Sequence, residues 1–293
     1  MAQDPRIQAQ QLIAEFKARG AQATRTNPCA KDGIWLNVCR NKVAEGLQDR
    51  VMNPNLIAQT NTNMCGIAAF VHQWAKDDPV GYVWLGITLY EHGTGRIGRG
   101  NLTGKEVFPS SDLKNSPLPY YQSEGHWFEM NHADWIILAS IREAFNGLFT
   151  RYTANDPLEP LAGMTTPGEV VNAFKAAGYT SIINQTDWAM GKGFDNIQEA
   201  SDLLGAKWKV VLLINDNMLY DDKMDKQSLL IRSANHWVGL LSSIQMNLSG
   251  KDYMVSPFQV FTWGKPKFVP VKQAPFPLTT LLKNYYGYVA AKY

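Results

Sequence analysis

Apolar residues recur at helical spacing through most of the first two thirds of the chain and fall into short runs through the last third. The stretch "PRIQAQQLIAEFKARG" keeps that spacing over 5–19 and predicts a first helix that stops at Gly20. "GIWLNVCRNKVAEGLQDRV" reads as a short apolar stretch and a second helix, and the Pro and polar cluster of "NPNLIAQTNTN" then predict a loop. In "CGIAAFVHQWAK" the apolar positions 67, 68, 70, 71 and 74 share one helix, which stops at "DDP". Cys65 therefore opens a helix.

From 80 to 130 the text is rich in Gly, aromatic and polar residues, "YVWLGITLYEHGTGRIGRG" being its most ordered part. "HADWIILASIREAFNGLF" predicts a strong helix from about Asp134 to Gly147. "TTPGEVVNAFKAAGY" predicts another, with Thr166 as cap, Pro167 in the first turn and Gly178 as terminator, and "DNIQEASDLLGA" a further one. The character then changes. "KWKVVLLIND", "HWVGLLSSIQMN", "DYMVSP", "FQVFTWG" and "KFVPV" are short, apolar or alternating, and divided by turn residues, as in antiparallel strands. Helices first and a meandering sheet last make an α+β layout. There is no internal repeat.

Composition narrows the function classes. With 293 residues and 45% apolar content the chain can bury a large core. Its 28 basic and 26 acidic residues nearly cancel, so charge points neither to nucleic acid nor to a membrane surface. The N-terminal text lacks the basic-then-apolar layout of a secretory signal, and "WIILASI" and "KVVLLI" are too short to span a bilayer. The expectation is synthesis in the cytoplasm. Of the three cysteines, Cys29 and Cys39 bracket "AKDGIWLNV"; two reduced thiols are expected, a bridged loop being the alternative. "GTGRIG" at 93–98 has glycines at phosphate-loop spacing but only breakers after it, and "NDNMLYDDKMD" at 215–225 lacks calcium-loop spacing and reads as a solvated turn. No Cys/His cluster has zinc spacing, and no cofactor is expected.

Cys65 is the residue with chemistry to offer. A helix N-terminus carries partial positive charge that favours a thiolate, and Gly66 would admit a substrate backbone. The Cys65 N–H and the Gln59 side-chain amide are candidate oxyanion donors. Among the five histidines, His72 lies two turns along the same helix, too far to touch the thiol. His92 sits in a Gly-rich loop, and His126 and His132 flank an aromatic run. His236 opens an apolar strand, the place from which a base can face a packed helix, and is the candidate base. Trp237 and Trp263 read as core aromatics.

The ordered set Gln59, Cys65, Gly66, then "NHWVGL" at 235–240, "YMVSPF" and "FTWG", resembles the papain-like cysteine peptidase superfamily. It is most similar to the bacterial branch that includes the double-glycine leader peptidases, and "TTPGEVVNAFKAAGY" is similar to a helix found there between Cys and His. The resemblance covers about 53–76 and 165–270. It implies a papain-like α+β fold with the Cys helix packed on a C-terminal antiparallel sheet that carries the His. It further implies an N-terminal helical extension at 1–52 and a peptidase domain at 53–293 with an insertion at about 80–160. The implied activity is a thiol hydrolase acting on a protein or peptide through an acyl-enzyme. Its catalytic set is Cys65, His236, Gln59 and an orienting group. That last member departs from the family, because Ser256 stands where an Asp or Asn is usual before Pro257. Ser256 is the expected orienting residue, with Asp252, at a hairpin turn, as its rival. By analogy the chain is expected to be a bacterial effector or toxin delivered by a specialised secretion system, with an immunity or secretion protein as partner. A cysteine-dependent deamidase or transglutaminase, and an inactive papain-like binding module, are the alternatives.

Overall fold

The computed structural model describes residues 4–20, 29, 31–98, 104–123, 125–145, 165–187, 190–226 and 233–293. Helices α1 (Pro5–Arg19), α2 (Arg40–Met52), α3 (Cys65–Asp77) and α4 (Pro79–His92) come first. Two small hairpins follow, β1 (Gly95–Arg96) with β2 (Glu106–Val107), and β3 (Tyr120–Ser123) with β4 (His126–Glu129), separated by α5 (Ser111–Asn115). One helix is then built from α6 (His132–Asp134), a π turn (Trp135–Ala139) and α7 (Ser140–Phe145). Next come α8 (Pro167–Ala176), β5 (Ser181–Asn184), α9 (Phe194–Gly205), β6 (Lys209–Ile214) and β7 (His236–Leu240). The last part holds β8 (Met246–Ser249), β9 (Asp252–Val255), β10 (Phe258–Thr262), β11 (Lys265–Val269), β12 (Phe276–Pro277), α10 (Leu278–Asn284) and β13 (Tyr285–Lys292).

Six strands form one antiparallel sheet in the order β11-β10-β7-β6-β13-β5. Both of its faces are covered. Val211, Leu213, Trp237, Phe261 and Val289 pack against the helices of the first half, while Val210, Leu212, Val238, Leu240 and Val260 pack against α9 and α10. Two-sided burial explains why β6 and β7 read as unbroken apolar runs rather than as alternating strands. The fold is thus mixed helix and sheet, with the helices of the first half layered on one face of the sheet.

Helix α3 is buried along Cys65–Ala75, wedged between the sheet and α4 and α8. Gly239 on β7 makes this approach possible, because a Cβ there would lie 3.0 Å from Gln73 and 3.5 Å from His72 of α3. His72 stacks on Phe261 at 3.6 Å and its Nε2 meets Asn55 Oδ1 at 2.9 Å, well occupied away from the thiol. Ala9, Ile13, Phe16, Val43 and Leu47 of α1 and α2 lie in the same apolar cluster as α3.

Several expectations need correcting. "PVGYVWLGITLYEH" is a full helix, begun by an Asp78 cap and closed by Gly93 at φ 66°. It was hidden because it is apolar nearly all round, being buried between neighbouring helices. Cys29 and Cys39 form a disulfide, with Cα atoms 5.1 Å apart, rather than two free thiols. The end expected for the helix after Asp134, near Gly147, lies outside the described residues, as do 146–160 of the region expected as an insertion. The "GTGRIG" stretch contains β1 and is described to Gly98.

Candidate functional site

Cys65 is the first residue of α3 and is 4% exposed. Its sulfur faces the backbone N–H groups of Cys65, Gly66 and Trp237, the last being the residue after His236. The β7–β10 pairing covers Gly239 and Leu240, and β10 ends at Thr262, before it would reach Trp237. Trp237 Nε1 donates to Thr165 O at 2.8 Å, and a Cβ on Gly66 would lie 2.6 Å from the Thr165 side chain. Gly66 is therefore demanded by Thr165, and the space expected for a substrate backbone is filled by protein.

His236 opens β7 and is 5% exposed. Its Nε2 lies 2.7 Å from Thr262 Oγ1, and its ring packs on Trp263 at 4.8 Å between centroids. With Nε2–H donating to the hydroxyl, Nδ1 is left as the basic nitrogen. Thr262 replaces the expected Ser256. Ser256 follows β9 in a separate three-stranded sheet, where its N–H bonds Gln245 O at 2.9 Å and its Oγ accepts from Asn247 at 3.5 Å. Asp252 pairs with Ser249 at the tip of the β8–β9 hairpin, as its turn reading implied. The reason for the exchange is register. Phe261 lies opposite Gly239 and Val260 opposite Leu240, which places Thr262 diagonally from His236 on one face of the sheet.

The two candidate groups are linked through the Trp237 amide only. The sulfur meets that N–H, whereas the His236 side chain shares the sheet face of Thr262 and Val238, opposite the face on which Trp237 packs with α3. No hydrogen bond joins the Cys65 sulfur to the His236 ring among the described residues; the ring's contacts are Thr262 and Trp263, and the sulfur's are backbone amides. Burial pushes the Cys65 thiol up to about 11 despite the amides and Arg142, which favour the thiolate. Burial likewise pushes His236 down to about 4, with Asp216 pulling it up and Lys267 pulling it further down. At neutral pH the two groups rest as a thiol and a neutral imidazole.

An open cleft of about 560 Å³ is lined by the 58–62 loop, His236, Trp263, Asp216, Tyr220 and Tyr121, and Cys65 is not on its wall. Gln59 is on its wall, and its Nε2 donates to Thr62 O at 2.9 Å, while Thr62 Oγ1 donates back to Gln59 O at 2.6 Å. One amide hydrogen of Gln59 remains for a ligand. The loop is anchored from below by Asp134 Oδ2, which accepts from Ala58 N–H at 3.0 Å while the carboxylate grips Arg50 at 2.7 and 2.9 Å. Thr60 at φ 54° and Trp263 at φ 47° are non-glycine residues in the left-handed region, and both line the cleft. Such backbone strain gathers where the surroundings over-determine a site. Trp263 is therefore a wall of the cleft rather than the core aromatic expected; Trp237 is core, 1% exposed.

Sequence reading did not single out Thr262, Asp216, Tyr220 or Tyr121. The two hydrophilic ones had signals, Asp216 through the acidic run at 215–225 and Thr262 through its place in "FTWG". Among the described residues no group of three or more His, Cys, Asp or Glu side chains is arranged to hold a metal ion, and no helix is long and apolar enough to cross a membrane. Comparison with protein-family models, with curated proteins and with solved structures returns no match for this chain.

Proposed function

We propose that the protein is a papain-like thiol hydrolase in which Cys65 attacks an amide carbonyl of a protein or peptide. The observation that carries this reading is the placement of the Cys65 sulfur on the amide of Trp237, the residue after a histidine whose Nε2 is held by Thr262. In the proposed reaction Nδ1 of His236 takes the thiol proton as the sulfur attacks. The Cys65 N–H and the spare Gln59 amide hydrogen receive the oxyanion, and His236 returns the proton to the leaving amine. Water then releases the acid. The pair starts neutral and charge develops only during attack. The Cys29–Cys39 bridge supports action in an oxidising compartment, in keeping with a delivered effector or toxin.

A second reading is favoured by the upward-shifted thiol and the missing direct bond: a papain-like binding module whose cleft holds a peptide without cutting it. Alkylation of Cys65 by iodoacetamide at pH 7.5, followed by mass spectrometry, separates the two. For the hydrolase, His236→Ala slows labelling about a hundredfold, the low end of a general-base contribution. A rate indifferent to that change supports the binding module. Thr262→Val keeps the shape of the third partner and loses its hydroxyl; the labelling rate should fall about fivefold, as for one neutral hydrogen bond. An unchanged rate would remove Thr262 from the set.

A further inference from the structure

His236 must carry a positive charge when it holds the thiol proton, yet among the described residues its ring's hydrogen-bonded partner is a neutral hydroxyl. A nearly buried imidazolium without a counter-charge is costly. Among the residues lining the cleft, Asp216 is the carboxylate. It sits two residues beyond Ile214, the partner of His236 across the β6–β7 ladder. Its position is fixed by a reciprocal pair with Asn235, the residue just before His236: Asn235 Nδ2 donates to Asp216 Oδ1 at 2.6 Å, and Asp216 N–H donates to Asn235 Oδ1 at 2.7 Å. The side chain is thus tied to the base through a neighbour in sequence and a neighbour in register. Lys267, from β11, packs on Tyr220 and Trp263 of the cleft wall, and its positive charge disfavours the imidazolium.

We propose that Asp216 is the counter-charge of the His236 imidazolium, a positioning residue that supplies electrostatically what Thr262 cannot. The inference rests on the hydrolase reading for its consequence in the reaction, but the pairing itself does not depend on it. Thr262 holds the ring, Asp216 answers its charge, and Lys267 opposes it. The "NDNMLYDDKMD" run is accordingly more than a solvated turn at its first acid, and the Asn of "NHW" is the brace that holds that acid in place.

The test is the proton NMR titration of the His236 ring in the full chain. Asp216→Asn is close to isosteric, and its amide oxygen can still accept from Asn235. It should move the His236 midpoint to lower pH by about half a unit or more, as expected for one charge removed across a partly wet gap. Lys267→Met should move it the opposite way, and Asp216→Glu should restore it. Iodoacetamide alkylation of Cys65 at pH 7.5 should slow about threefold in Asp216→Asn, the rate equivalent of half a pH unit. A midpoint unmoved by Asp216→Asn, or shifts of the same sign for the Asp216 and Lys267 variants, would overturn the pairing. A midpoint that moves while His236→Ala leaves alkylation untouched would confirm the pairing and reject the hydrolase reading, so the two failures are distinguishable.

Discussion

Replacing Asp134 by alanine is expected to lower the free energy of unfolding by about 3–5 kcal/mol, the cost of breaking a buried ion pair from one side. Asp134 is 1% exposed and meets Arg50 in a two-pronged arrangement at 2.7 and 2.9 Å. The guanidinium is itself buried, and its proton is held more tightly than in a free arginine because the attraction of Asp134 outlasts the burial that opposes it. Removing the carboxylate leaves that charge in apolar surroundings between α2 and the helix after the β3–β4 hairpin. It also releases Ala58 N–H, the tether of the loop that carries Gln59. The variant should therefore lose both stability and the definition of the cleft. Urea unfolding provides the measurement, and a loss under about 1 kcal/mol, the range of exposed pairs, would show that the pair is effectively solvated. The double variant Arg50→Met with Asp134→Leu should recover most of the loss, since apolar replacement of a buried pair is often neutral or better. Its cleft loop would still lack the Ala58 tether.

Stability is expected to fall on both sides of neutrality, with His236 and Cys65 each contributing about 3 kcal/mol at its own limb. His236 titrates at about 4 in the folded chain against an ordinary 6.5. Between those values the unfolded chain binds a proton that the folded chain does not, so stability drops as pH falls from 6.5 towards 4. The thiol runs the other way: at about 11 folded against an ordinary 9.0, it stays protonated while the unfolded chain ionises, and stability drops as pH rises from 9 to 11. His72, held well below its ordinary value by burial, adds to the acid limb in the same direction. Differences between variants isolate each group. His236→Gln should flatten the acid limb relative to the native chain, and Cys65→Ala the alkaline one, in unfolding curves taken from pH 4 to 11. Curves for native chain and variant that stay parallel through either window would mean that the group is solvated rather than buried.

Much of the helical framework was legible because its signals are local. Thr166 and Glu169 form a reciprocal capping box ahead of Pro167, and Gly178 stands at φ 89° just past the helix end. The interruption at "DDP" ended α3 at Asp77. Where the sequence was silent, the deciding contacts are distant. The last strand, Tyr285–Lys292, slots between β6 and β5 after a long excursion through β8–β12, and nothing in its own text names those partners. The β3–β4 hairpin is aromatic on both faces yet exposed, with Trp127 at 68%, so its pattern matched neither a core strand nor a loop.

The same division runs through the site. Local text was enough to place a cysteine at the mouth of a helix and a histidine at the head of a strand, because caps, breakers and apolar spacing act over a few residues. Which hydroxyl would meet that histidine was a matter of strand register: a β10 pairing shifted by one residue would send Thr262 to the opposite face, and only the folded sheet sets that alignment. Likewise the ionisation of the thiol depends on the water excluded around it. Exclusion comes from Thr165, Trp237 and the sheet closing over α3, contacts between segments about a hundred residues or more apart that no stretch of sequence contains by itself.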